Sequence, residues 1–176
     1  GANHYNDDEI QNRLRESQLI CYVIYDFNQT KNNNLKFQYA EKTFSVETDK
    51  ITVLKKVLSL FKFDEIFLNS FVSFPKVKDI INVVIDLQKK NTCKLVLPIH
   101  DFFPVCPSYT LLNEKKTYCD IPTDKEVCLR CLKCNEGEFK IYEKETSIDK
   151  WRNNWARVIE AADEVRCFSN SSKEIF

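Results

Sequence analysis

The stretch KVKDIINVVIDLQKKNTCKLVLPI, residues 76–99, constrains this chain more than any other. It opens with apolar residues at helical spacing on one broad face and closes on LVLPI, five apolar residues in a row. A strand without polar alternation needs cover on both faces, and a helix just before it supplies a crossover. The same alternation runs along the rest of the chain. NDDEIQNRLRES reads as a helix that Asn6 can cap, with Asp7, Asp8 and Glu9 at its positive end. LICYVIYDF is a buried strand by its β-branched and aromatic content, NQTKNNN a turn, and LKFQYAEKTFSV one or two short strands. Thr48 or Asp49 caps a helix through KITVLKKVLSLFK, and DEIFLNSF is again a strand. SIDKWRNNWARVIEAAD is a helix, EVRCFS a strand, and NSSKEIF the start of another helix. Helices alternating with short strands apolar on both faces predict an α/β chain, a parallel sheet flanked by helices. With 176 residues, a single domain over 1–176 is long enough to bury a core.

In such sheets ligands gather beyond the carboxyl ends of the strands. His100 and Asp101 directly follow KLVLPI, Asn69 follows EIFL, and Ser169 follows EVRCF. Three polar positions at strand exits point to a cleft along that edge. His100 is the candidate for hydrogen bonding to a substrate, Asp101 for capping the next turn or orienting His100, and Asn69 for lining the cleft. Ser169 suits either the cleft or the cap of the last helix. Gly1 and Ala2 precede the helix capped by Asn6, where backbone N–H groups suit a phosphate. Trp151 and Trp155 lie four apart, with Val158, Ile159 and Ala162 continuing one face, and read as core.

The eight cysteines fall into two populations. Cys21, Cys93 and Cys167 sit in or beside apolar runs, as small buried hydrophobes do. Cys106, Cys119, Cys128, Cys131 and Cys134 sit in a polar, turn-rich insertion after the LVLPI strand, bounded as residues 101–148. CLRC offers two thiolates from one tight turn, half of a tetrahedral zinc site, and Cys106 and Cys119 can supply the other half. Such a zinc would be structural, closed on all four sides. CLRCLKC also matches the first three ligands of a ferredoxin-type run, but the fourth position holds Glu138. Disulfides and free thiols complete the alternatives.

Lys and Arg number 26 against 26 Asp and Glu, a balance that argues against a nucleic-acid footprint. No apolar run approaches a membrane span and no signal peptide is visible at the start; a chain of this size needs no disulfide staples, so a reducing cytoplasm is the expected compartment.

KLVLPIHDFFPVCPSYTLLNEKKTYC followed by CLRC resembles a bacterial branch of the group 1, GT-B glycosyltransferases, in which a His-Asp pair, Cys-Pro, Tyr-Cys and Cys-x-x-Cys occur in this order. GANHYNDDEIQNRL is similar to their glycine-containing loop and first helix, FDEIFLNSFVSFPKVKDIINVV to the segment before their third helix, and AADEVRCFSNSSKEIF to a late strand, serine and helix. The resemblance implies the amino-terminal, acceptor-side half of such an enzyme, with a Rossmann-like sheet that extends beyond both ends of these residues. It further implies transfer of a sugar from a nucleotide sugar to a glycan or lipid-linked acceptor in surface polysaccharide assembly. A carboxyl-terminal donor-binding domain would be the partner, the full-length protein would associate peripherally with membrane, and this half alone would be inactive. His100 is then catalytic, and Gly1, Ala2, Asn69, Asp101 and Ser169 touch substrate. Two other readings stand beside it: a zinc-stapled interaction module without catalysis, and a small iron–sulfur redox protein.

Overall fold

The computed structural model describes residues 2–26, 29–72, 74–134 and 147–176. It is a mixed α/β structure with two compact units, residues 1–63 and 64–176, each holding one three-stranded sheet.

In the first unit, helix α1 (Ala2–Arg15) leads into strands β1 (Ile20–Tyr25), β2 (Asn33–Tyr39) and β3 (Lys42–Thr48), followed by helix α2 (Ile51–Leu58). The strands form an antiparallel meander, with Val23 opposite Leu35 and Leu35 opposite Val46. This corrects the expectation of one parallel sheet, and the connections explain why. Seven residues, 26–32, join β1 to β2, and two join β2 to β3. A parallel crossover needs about a dozen or more. The Asp26 carboxylate accepts N–H bonds from Gln29 and Thr30, which folds the first connection back on itself. Ala40 takes a positive φ of 49° in the two-residue hairpin, as the tight turns that match strand twist require.

Two expected caps are also corrected. Asn6 lies inside α1, because the helix already begins at Ala2. The cap position of α2 is Lys50, with no side-chain bond to the helix; the Thr48 hydroxyl instead accepts the N–H of Lys50, one residue too early.

The second unit carries the expected alternation. Strands β4 (Glu65–Phe67), β5 (Lys94–Ile99) and β6 (Glu164–Cys167) are parallel and in chain order, with Ile66 beside Leu95 and Leu97 beside Val165. Helix α3 (Val77–Asn91) crosses from β4 to β5, and helices α4 (Lys125–Cys134) and α5 (Ile148–Ala161) lie between β5 and β6. A short helix α6 (Asn170–Ile175) follows. The central strand is buried from Leu95 through Ile99, because it has a neighbour on each side. Ile80, Ile81, Val84 and Leu87 bury the apolar stripe of α3. Two bonds lock the returns to the sheet: Leu95 N–H to the Asp163 carboxylate at 2.8 Å, and Asp163 N–H to the Leu95 carbonyl at 2.9 Å. Helix α5 meets α3 where Arg157 donates to Asn82 and the Gln88 amide donates to the Ala161 carbonyl.

Trp151 and Trp155 are core, as expected, at 4 % exposure each, with Val158 fully buried. Trp151 stands edge-on to Phe103 and donates its indole N–H to the Phe103 carbonyl at 2.7 Å. That pins the chain just after His100 to α5. Among the described residues, no helix is long and apolar enough to cross a membrane.

The segment after β5 is not a loop throughout. Turns and an isolated bridge between Leu112 and Tyr118 occupy residues 101–124, and then α4 carries Cys128, Cys131 and Cys134. CLRC therefore sits on a helix rather than in a tight turn. Lys125 and Asp149 form an ion pair between α4 and α5. The rest of the expected insertion, residues 135–146, lies outside the described residues.

Candidate functional site

The strand exits of the second unit converge as their positions in the sequence predict. Asn69 stands two residues after β4, His100 immediately after β5, and Phe168 immediately after β6. His100 Nε2 lies 2.9 Å from the Asn69 amide oxygen. Donor and acceptor in this bond are set by the imidazole tautomer. The Phe168 ring stacks on the imidazole, with centroids 4.9 Å apart and planes 14° from parallel. Burial lowers the pKa of His100 below its usual value of 6.5, because the charged form is poorly solvated there. The ring is thus held in one plane, with its neutral form favoured by burial.

Asp101 takes the capping role. Its carboxylate accepts the Phe103 N–H at 2.9 Å and turns the chain away from β5. Burial raises its pKa and the Phe103 N–H partly offsets this. Ser169 also caps: its hydroxyl accepts the Ser172 N–H at 3.1 Å and meets the Ser172 hydroxyl at 2.9 Å. The side chain that reaches His100 from the exit of β6 is Phe168, one residue earlier.

Asn69, Ser70, His100, Asp101, Pro104 and Trp155 border a small pocket at this edge. Its volume is about 20 Å³, space for about one water molecule, so it encloses no sugar by itself. A larger cleft of about 250 Å³ lies beside Pro104, Val105, Ile121, Arg152 and Trp155. Trp155 borders both, and its buried indole N–H has no hydrogen-bond partner among the described residues. The stripe reading treats Trp155 as core and misses this second position. Phe168 was equally hidden, since an aromatic at the end of a strand carries no signal beyond its place before Ser169.

Gly1 lies outside the described residues. Ala2 is the first residue of α1, in the first unit, and not in a loop ahead of the helix. Helix α1 thus begins ahead of the cap expected at Asn6.

None of the eight cysteines is joined in a disulfide. Cys93 is buried as expected, whereas Cys21 and Cys167 are only half-buried. Burial pushes the thiols of Cys106 and Cys128 up, and that of Cys131 up to about 11. Among the described residues, no group of three or more His, Cys, Asp or Glu side chains is arranged, as it stands, to hold a metal ion.

No protein-family model, curated protein or solved structure matches this chain.

Proposed function

We propose that the second unit is the Rossmann-like, acceptor-side half of a glycosyltransferase that moves a sugar from a nucleotide sugar to a glycan or lipid-linked acceptor. The observation that carries this reading is the clamped imidazole at the carboxyl edge of a parallel sheet, where His100 is bonded to Asn69 and stacked on Phe168. Sugar transfer asks for a polar group of fixed direction beside hydroxyls and a departing diphosphate. An imidazole held in one plane by its neighbours fits that demand and costs little reorganisation when the sugar arrives. The order His100-Asp101, Cys106-Pro107, Tyr118-Cys119, Cys128 and Cys131 supports the same assignment through the family resemblance. The small size of the pocket fits a half-site, completed by a donor-binding domain that supplies the nucleotide. In this reading Asp101 and Ser169 shape the edge as caps, and His100 is the residue that meets substrate.

The test is sugar transfer by the protein expressed from its whole reading frame. Release of nucleotide from a panel of UDP-, GDP- and CMP-linked sugars is followed with membrane glycolipids as acceptors. The expected result is transfer from at least one donor, falling about 100-fold or more in His100→Ala while folding is retained. Transfer by no donor, or full activity in His100→Ala, overturns the reading.

A further inference from the structure

We propose that the cleft of about 250 Å³ along α5 binds a small aromatic carboxylate, a single ring carrying one anionic group. The inference is independent of sugar transfer and rests on what the walls of the cleft are made of. One wall is a face of α5. Arg152, Trp155, Ala156 and Ile159 border the cleft and stand at i, i+3, i+4 and i+7, one continuous helical stripe. Ala156 carries only a methyl group between bulky neighbours, which leaves depth there. The other walls are apolar: Val105 and Ile121 from the segment after β5, and Ile175 and Phe176 at the end of α6. The Phe176 ring lies within 3° of parallel to that of Phe102, with centroids 6.5 Å apart, which gives this wall an aromatic member of fixed plane.

Two polar groups break this apolar lining. Among the described residues that border the cleft, Arg152 carries the one charged side chain. Its Nε–H donates to the Val105 carbonyl at 3.1 Å, and Val105 is itself a cleft residue, so the guanidinium is held at the wall. Among the described residues no carboxylate pairs with it; Asp149, three residues back on the same helix, pairs instead with Lys125 of α4. A guanidinium has five N–H donors in a planar fork, and the bond to Val105 engages one of them. The terminal nitrogens suit a carboxylate, whose two oxygens accept side by side. The second group is the indole N–H of Trp155, buried with its residue and without an acceptor among the described residues. Three residues after Arg152, it lies on the same face of α5, so an anion drawn to the guanidinium arrives beside an unsatisfied donor.

The class of ligand follows from this inventory. A phosphate dianion calls for more donors than one guanidinium and one indole supply, whereas a single carboxylate matches them. The hydrocarbon walls call for an apolar body on that carboxylate. An apolar cavity of about 150 Å³ takes up benzene. At about 250 Å³ the cleft has room for one ring with a carboxylate arm, and the flat members Trp155 and Phe176 favour an aromatic ring over a branched chain.

The test is titration of the whole chain, labelled with ¹⁵N at the tryptophan indoles, with benzoate, benzamide and inorganic phosphate. Benzoate is expected to shift the Trp155 indole N–H along a saturable curve with a dissociation constant at or below about 1 mM. Benzamide, of the same shape without the charge, should bind at least about 10-fold more weakly, as should benzoate to Arg152→Gln. Ala156→Leu fills the cleft without altering its charge and should abolish the shift. Benzamide or phosphate binding as tightly as benzoate, undiminished binding by Arg152→Gln or Ala156→Leu, or no saturable shift below about 10 mM benzoate each overturns the proposal. The comparison of benzoate with benzamide uses the unaltered chain and decides the charge requirement even where a variant fails to fold.

Discussion

Strands β3 and β5 are close in length but opposite in exposure. From Lys42 to Glu47, β3 is exposed at every residue, with Phe44 at 70 %, whereas β5 is buried at every residue from Leu95 to Ile99. Both contain valine and bulky apolar side chains, though only two of the seven residues of KTFSVET are apolar against five of the six of KLVLPI. Composition alone does not set the exposure. Position in the sheet does. Strand β5 is flanked on both edges and entered through a helix, and its run LVLPI has no polar break. Strand β3 closes a meander at an edge, and its KTFSVET alternates polar with apolar. The difference teaches that connection length, more than strand composition, reports the direction of pairing. Helical crossovers made the second sheet parallel, and connections of seven and two residues made the first antiparallel.

The largest effect should come from the central strand. Leu95→Ala removes a side chain with no exposure and is expected to destabilise the second unit by about 2–5 kcal/mol. Both tryptophans lie in that unit, so denaturant unfolding followed by their fluorescence reads it selectively. A loss smaller than 1 kcal/mol, on the order of a surface change, would break the contrast between the sheets.

A smaller effect belongs to His100. Its pKa is lower folded than unfolded, so the unfolded chain takes up the proton first. The contribution is fully present above about 6.5, the unfolded value, and is lost as pH falls from there through the lowered folded value. Asp101 works in the opposite sense: its raised pKa favours the fold in acid and loses that contribution as pH rises through the folded value. Comparing His100→Gln with the parent chain isolates the histidine. The variant's unfolding free energy should fall less than the parent's on acidification below pH 6.5; parallel curves would mean that the imidazole is not held neutral.

The smallest effect is expected at the exposed edge. Phe44→Ser should change stability by no more than about 0.5 kcal/mol, read from the far-ultraviolet unfolding curve, because little contact is lost. A large loss would show that β3 depends on that ring, and the two strands would then differ less than their exposures imply.

Much of the site was legible because strand exits are fixed by short apolar runs. His100 and Asn69 meet as the runs KLVLPI and EIFL predict, and the polar cap roles of Asp101 and Ser169 were among the alternatives their turn chemistry allowed. Phe168 was not legible, since stacking on an imidazole depends on the register of β5 against β6 and leaves no local pattern. Helix α4 was missed because VCLRCLKC invites a ligand reading that masks its modest apolar face, of which only Leu132 is buried. The start of α1 was missed for a simpler reason. Asn6 looks like a cap, yet the residues before it continue the helix to Ala2.

The proposed activity requires that the carboxyl edge of the parallel sheet receive a sugar at His100. The most direct measurement is nuclear magnetic resonance of the whole chain with ¹⁵N-labelled histidine and labelled phenylalanine rings, titrated with the nucleotide sugars and with soluble oligosaccharide acceptors. The His100 ring nitrogens, the Asn69 amide and the Phe168 ring are expected to shift together along one saturable curve, while signals of β1 to β3 stay in place. Shifts that saturate elsewhere in the chain and leave these three groups unmoved would contradict it.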